Sequence, residues 1–439
     1  MIKTYWGDWI PKVLLSGFLV TLPIEEGPPN ILGGLYLVFG LGSWLAGSIH
    51  PSYSAQKQLV WLRVVLITAA LCALMSGIQS SYQVWLSAEF FREWISWSAI
   101  VLIPLVMLIT LRSTQDVNLA IKLTVAGALI AILDGIVTWW MSDNTYPQLR
   151  SLGHVNQSAL YLVAIFPAAI YLLSQNFYWV WRVVGLITLV LICALMIPMR
   201  SLAAVAVLIA ICTGLAVFAL IEFPAYRRRI FLLVSGVAIT GLLISSIAPS
   251  VVVNNPLISE GISRVTGDDV SSKRIELFNT ARVAVEQNPW FGAGLSTFKH
   301  SASESVVETI VESRGTSFDS VREQYFFSSH GHGLVNTSLV ERGYIGLASL
   351  IALLFVLLWV GLGRWIRGST FAERRAAILG LSIVGSLILG GLGNTTLHNE
   401  HGQVMMCLIV LFYMLAVLQD DPLRGMKTNT LARPPEASS

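Results

Sequence analysis

Charge is what this sequence has least of. Only 12% of its 439 residues are Asp, Glu, Lys or Arg, while 55% are hydrophobic. A soluble domain is nearer a quarter charged, so an apolar excess of this size excludes a water-soluble fold and asks for lipid as the solvent. The net charge of +3 is too small to point to nucleic acid. Cysteine is scarce too. Cys72, Cys193, Cys212 and Cys407 all fall inside apolar runs, poor ground for a disulfide framework or a zinc site, and read as small core residues. No cluster has metal-ligand spacing, no glycine loop is built to cradle a nucleotide phosphate, and no repeat recurs at a fixed period. The first apolar run ends in Pro23, Glu25 and Glu26 without a small-residue cleavage site, and reads as a retained span rather than a signal peptide.

What is present is a series of apolar runs. A span needs about 20 apolar residues. Runs of that kind fall near 9–24, 31–49, 59–79, 94–112, 118–140, 157–175, 180–198, 202–223, 230–250, 343–363, 374–392 and 402–419. The fold class expected is an all-α polytopic membrane protein of about twelve transmembrane helices. Trp44, Trp61, Trp94, Trp139, Trp140, Trp179, Trp181, Trp359 and Trp365 lie near run ends, as interfacial anchors do.

Orientation follows from Lys and Arg in the connections. With the N-terminus inside, the inner segments hold Lys3, Lys12, Lys57, Arg112, Arg182, Arg227–Arg229, Arg364, Arg367, Arg374, Arg375, Arg424, Lys427 and Arg433. The short outer loops hold only Arg92, Arg150 and Arg200. Both termini are therefore expected in the cytoplasm. The organisation expected is nine spans over 1–250, a large hydrophilic outer loop over 251–342, three spans over 343–419, and a disordered tail over 420–439. Two helices are readable in the loop. Segment 272–287 carries Ile275, Phe278, Ala281 and Val285 on one face and ends at Asn288-Pro289. Segment 305–314 opens with Ser305 and Glu308, spaced as a capping box, and stops at Gly315.

Histidine placement draws attention to the outer face. His50 maps inside, whereas His154, His300, His330, His332, His398 and His401 map outside. Polar residues collect in loops anyway, but six of seven on one side suggests a site there. Arg200 stands at the outer mouth of a span, against the inside-positive pattern; it reads either as a snorkelling side chain or as a phosphate contact. Arg274 falls in the first turn of the 272–287 helix, where a cation opposes the helix dipole by roughly 0.3–1 kcal/mol. Together with Lys273 and the backbone N–H groups of that helix end it would hold a diphosphate; alternatively, both cations pair with Asp268, Asp269 or Glu276. His332 stands just before a span, where a neutral imidazole can take a proton from a hydroxyl or simply cap the helix, and His330 competes with it. His154, Asn156 and Gln157 at one outer helix start, and His398 and His401 at another, are suited to sugar hydroxyls. Asp134 and Arg63 sit within or near spans and read as functional groups or a structural pair.

Four features taken together resemble the O-antigen ligases, within the larger group of O-antigen polymerases and protein O-oligosaccharyltransferases. A span begins with "RSLAAV" at Arg200. The long outer loop carries Arg274. "NPWFGAGLSTF" is similar to the family's Pro-x2-Gly-x-Gly-x3-Phe, at Pro289, Gly292, Gly294 and Phe298. His332 is followed by Glu341, Gly343 and Gly346 at the family's offsets, a register that His330 does not fit. Gly333 departs from the Asn, Ser or Gln usual after the histidine. The motif stretch covers roughly 200–346.

The resemblance implies a glycosyltransferase of the bacterial inner membrane. Its donor would be undecaprenyl diphosphate-linked O-antigen and its acceptor a sugar of the lipid A–core oligosaccharide, with neither cofactor nor metal. Arg200 and Arg274 would hold the diphosphate, His332 would activate the acceptor hydroxyl, and Lys273, His330 and Gly294 would line the site. A protein acceptor, a second repeat unit as acceptor, and a flippase or transporter are the alternatives. The single large loop and the absence of repeat symmetry argue against the last two.

Overall fold

The computed structural model describes residues 2–24, 27–46, 59–78, 88–142, 146–150, 154–175, 177–199, 201–226, 273–328, 331–397 and 399–419. Among these, the helices are α1 (Ile2–Thr21), α2 (Gly27–Leu45), α3 (Val60–Ile78), α4 (Ala88–Thr110), α5 (Thr114–Met141), α6 (Val155–Ser174) and α7 (Trp179–Met199). They continue with α8 (Leu202–Glu222), α9 (Arg274–Ala284), α10 (Phe298–Ser301), α11 (Glu304–Ser313), α12 (Leu334–Arg367), α13 (Phe371–Gly391) and α14 (Asn399–Leu418), and the described residues contain no strand. The chain is an all-α membrane protein. Helices α5 to α8 and α12 to α14, seven in number, are long and apolar enough to cross a membrane. Shorter apolar stretches lie in α1, α3 and α4, at Trp9–Thr21, Val60–Leu71 and Trp94–Thr110. The run at 230–250 and the tail at 420–439 lie outside the described residues.

Burial sorts the helices. α14 is the axis of the bundle, buried from His401 to Leu418 and packed on α4, α5, α6, α12 and α13. Around it, α5, α7, α8 and α12 expose Val137, Ile187, Val190, Ile209, Ile351, Phe355 and Trp359. So much contiguous apolar surface is untenable in water and is the face a bilayer covers. Small residues let the helices close. A Cβ on Gly127 would meet the Val20 carbonyl carbon at 3.0 Å, and one on Gly380 would meet the Tyr413 ring at 2.6 Å. Gly361 leaves room for the Tyr413 hydroxyl to donate to the Leu357 carbonyl at 2.7 Å.

Polar groups gather at the helix ends. Ser113 caps α5, its hydroxyl accepting from the Asp116 amide at 3.1 Å while the Asp116 carboxylate accepts from the Ser113 amide at 3.3 Å. At that same end, expected inside from the charge pattern, Arg374 forks onto Glu222 at 2.6 and 2.7 Å, and Arg364 reaches Glu373 at 3.3 Å. Arg375 and Arg182 donate to the Ser174 and Gln175 carbonyls at the C-terminus of α6, where cations complement the helix dipole. Arg63 donates through Nη2 to the Leu108 carbonyl at 3.3 Å, while its buried Nε has no hydrogen-bond partner among the described residues.

Four local expectations need correction. Of the cysteines, Cys407 is buried but Cys193 and Cys212 are exposed, because α7 and α8 are peripheral. In α9 the buried face is Leu277, Thr280, Ala281 and Ala284, while Ile275 and Phe278 are exposed; the helix packs on α12 through its short side chains. α11 starts at Glu304 with Ser303 at its cap, two residues ahead of the proposed Ser305–Glu308 box, and stops before Gly315 (φ +79°) as its glycine stop requires. Finally, the boundary at 342/343 falls inside α12, where residues 334–342 are already helical and Gly343 (φ 63°, ψ −165°) breaks the helix.

Candidate functional site

The segment 273–328 is held to the bundle by the break in α12. At Gly343 the intrahelical hydrogen bonds lapse, and the Pro289–Gly294 turn supplies their partners. The amides of Tyr344 and Ile345 donate to the Pro289 and Trp290 carbonyls at 2.8 and 3.0 Å. In return, Ala293 and Gly294 donate to the Val340 and Glu341 carbonyls at 2.9 and 3.0 Å. Glycine is obligatory where the two backbones touch. Gly292 has φ +75°, and a Cβ there would fall on the Arg342 amide and the Glu341 carbonyl. A Cβ on Gly343 would lie 2.6 Å from the Gly292 nitrogen and the Pro289 oxygen. Three residues further on, Gly346 makes room for the Arg342 side chain, whose guanidinium stacks 3.6 Å from the centroid of the buried Trp97 ring.

The same motif supports the histidine turn. Phe298 is buried with Leu277, Ala281, Ala284, Ala302 and Val340 in a small core joining α9, α10 and α12. Its ring also packs on Gly331, where a Cβ would meet it at 3.0 Å. The Asn336 side chain donates to the Gly331 carbonyl at 3.2 Å, fixing the turn that carries His332. His332 is exposed and left-handed (φ 41°). Among the described residues, three non-glycines have positive φ: Lys273, Ser296 and His332, all outside the apolar helices. Two of them are candidates marked from sequence, and strain of this kind clusters where a side chain must be presented at a fixed angle.

Arg274 and the residues just after His332 meet the same short loop, Leu392–Leu397, between α13 and α14. Arg274, exposed at the first position of α9, donates to the Gly393 carbonyl at 3.3 Å, and its guanidinium lies flat on Gly393, where a Cβ would come within 2.9 Å. Gly333, next to His332, approaches the Leu392 carbonyl, 3.7 Å from where its Cβ would stand. Thr337 lies 3.5 Å from the Thr395 hydroxyl, and the buried His401 ring is bonded through Nε2 to the Thr395 carbonyl at 2.9 Å. Lys273 is left-handed and turns its ammonium onto the Phe326 ring, 5.0 Å from the centroid. On the far side of the segment, Glu304 hydrogen-bonds Arg322 at 2.7 Å and holds that guanidinium above its ordinary pKa, while Arg314 pairs with Glu286.

One loop is thus touched by Arg274, by Gly333 and Thr337 just after His332, and by His401, while Gly294 donates to the Glu341 carbonyl. His154 caps α6, its Nδ1 accepting from the Asn156 amide at 3.2 Å; Asn156 and Gln157 occupy the first turn, half-buried. Leu160, on the next turn, packs toward Gly390, so α6 begins at the same end of the bundle. Arg200, His330 and His398 lie outside the described residues. Sequence reasoning missed Gly393, Thr395 and Thr337, which carry no charge and no motif, and Arg342. A cation directly beside a span was the available signal for Arg342. Among the described residues no group of three His, Cys, Asp or Glu side chains is placed to hold a metal.

Chemically, the end of the bundle offers an exposed guanidinium at a helix N-terminus, suited to a phosphate oxygen pair. The exposed His332 imidazole precedes Gly333 and Thr337, which approach that loop, and the Thr337 and Thr395 hydroxyls there are suited to a sugar. Comparison of the chain with models of known protein families and with curated proteins finds no match.

Proposed function

We propose that this protein is an O-antigen ligase. It moves a polysaccharide from undecaprenyl diphosphate to a lipid A–core sugar on the periplasmic face of a bacterial inner membrane, with twelve spans and both termini in the cytoplasm. The observation that carries the reading is the shared loop: Arg274 on Gly393 and the His332 turn on Leu392, two residues far apart in sequence with complementary chemistry. The basic end of the bundle, with Arg182, Arg364, Arg374 and Arg375, lies opposite, which supports the assigned orientation.

In this reading His332 accepts the proton of the acceptor hydroxyl, and the freed oxygen pair forms a bond to the anomeric carbon. The bond from that carbon to the diphosphate oxygen breaks, and its electron pair leaves with undecaprenyl diphosphate. Arg274 and Arg200 hold the charge that develops there. Attack opposite the leaving group inverts the anomeric centre. Lys273, at the same helix end, adds positive potential.

The test is reconstitution of the full chain with purified undecaprenyl diphosphate-linked glycan and rough lipopolysaccharide. Product is expected from the wild type, and none from Arg200→Ala, Arg274→Ala or His332→Ala at normal protein levels. Unchanged ladders from all three variants would overturn the assignment.

A further inference from the structure

A cavity of about 460 Å³ opens between α1, α2, α3, α4 and the axial α14. Its rim includes Gly34, Ile67 and Ile95, exposed on the bundle surface; its deep wall includes Phe18, Ile103 and Gln403, all nearly fully buried. At Gly34 the rim borders open space, since a Cβ there would meet nothing within 4 Å. The polar groups in the lining are few: Asn30, Ser98 and Gln403. Gln403 stands two residues beyond His401, whose ring is bonded to Thr395 in the candidate loop. The floor of the cavity and the site are therefore joined by the first turns of one buried helix.

We propose that this cavity binds one fatty-acyl chain of the acceptor's lipid anchor. This rests on the glycan-transfer reading. In the twelve-span reading α1 to α4 also lie in the bilayer, so a groove opening between them meets hydrocarbon, and an apolar cavity has no use for water. Size chooses among hydrocarbons. A cavity of about 150 Å³ takes one benzene, about 25 Å³ per carbon, so this one takes about 18 carbons. That matches one whole fatty-acyl chain, whereas the far longer undecaprenyl tail of the donor would be held only in part. The polar floor beside His401 puts such a chain within one or two helical turns of the loop where the acceptor sugar would react.

The experiment uses the full chain in phosphatidylethanolamine vesicles that contain a phosphatidylethanolamine with a photoactivatable fatty-acyl chain. After irradiation, crosslinked peptides are read by mass spectrometry. A crosslink on Gln403 is expected. Surrounding bilayer lipid cannot produce it, since α14 is buried from His401 to Leu418. Rough lipopolysaccharide at about ten times its Kd is expected to reduce that crosslink about tenfold by occupancy, leaving those on the lipid-facing Ile351 and Phe355 unchanged. Gly34→Trp is expected to remove the Gln403 crosslink and Gly34→Ala to keep it. Absence of the Gln403 crosslink, or its indifference to rough lipopolysaccharide, overturns the proposal; the latter marks a resident phospholipid. Should Gly34→Trp fail to fold, the competition on the wild type decides alone. Glycan transfer is read separately. Competition without transfer removes the functional reading and keeps the acyl site, while transfer without competition removes only the acyl site.

Discussion

Gly292→Ala places the docking of the 273–328 segment under direct test. The added methyl has nowhere to go: at φ +75° it lands on the Arg342 amide and Glu341 carbonyl, which are backbone atoms of α12 and cannot swing aside. The left-handed conformation alone costs alanine about 1–2 kcal/mol. Relief of the clash requires the turn to lift, which breaks the four hydrogen bonds from Tyr344, Ile345, Ala293 and Gly294. At about 1 kcal/mol net for each backbone hydrogen bond, lifting the turn brings the total to about 5 kcal/mol. Local opening of the segment then becomes about five-thousandfold more populated, while the bundle around α14 is untouched. Hydrogen exchange read by mass spectrometry separates the two. Peptides from 274–328 are expected to lose protection in the variant, with peptides from α6 and α14 unchanged. Gly363→Ala is the control, since a Cβ there meets nothing within 4 Å. Equal protection of the 274–328 peptides in Gly292→Ala and wild type would falsify the docking argument.

Other outcomes follow from the same contacts. Arg274→Lys keeps the charge but loses the planar fork, and the loss of one charge-assisted hydrogen bond, about 1.5–3 kcal/mol, sets a tenfold to hundredfold fall in transfer rate; an unchanged rate removes the bidentate role. Gly361→Ala drives a Cβ to 2.6 Å from Leu381 and into the Tyr413 hydroxyl, so thermal unfolding in detergent should shift down by the equivalent of about 2–4 kcal/mol, whereas Gly363→Ala should not lower it. Arg342→Met removes the stack on Trp97, worth about 2 kcal/mol when desolvated; if the stack is the reason, Trp97→Leu costs a similar amount and the double variant costs much less than the sum of the two. Gly333→Ser should be accepted with stability changed by only a few tenths of a kcal/mol, because a Cβ there finds ordinary contacts at 3.7 Å from Asn336, Gly331 and Leu392; loss of folding would show that the turn needs glycine.

The sequence by itself determined that the chain is all-α with long apolar helices, and the limits of several of them. Length and apolar content of a run are local properties, so the run at 179–199 or 202–222 reads the same in isolation as in the bundle. Arg274 at a helix start and Gly315 at a helix stop were legible for the same reason, since each is decided by the few residues around it. The Pro289–Phe298 motif was visible as a pattern, but its physical task was not. Only the folded chain shows its glycines filling the break at Gly343 and its phenylalanine propping the histidine turn. The facing of α9 was misread because both sides of that short helix carry apolar residues, and what packs on it, α12, lies far along the chain. Gly393, Thr395 and Thr337 were out of reach altogether: nothing in their chemistry marks them until Arg274, the start of α12 and His401 meet one loop. Helices follow from neighbours in sequence, whereas a site follows from neighbours in space, and those are set by how the bundle closes around α14.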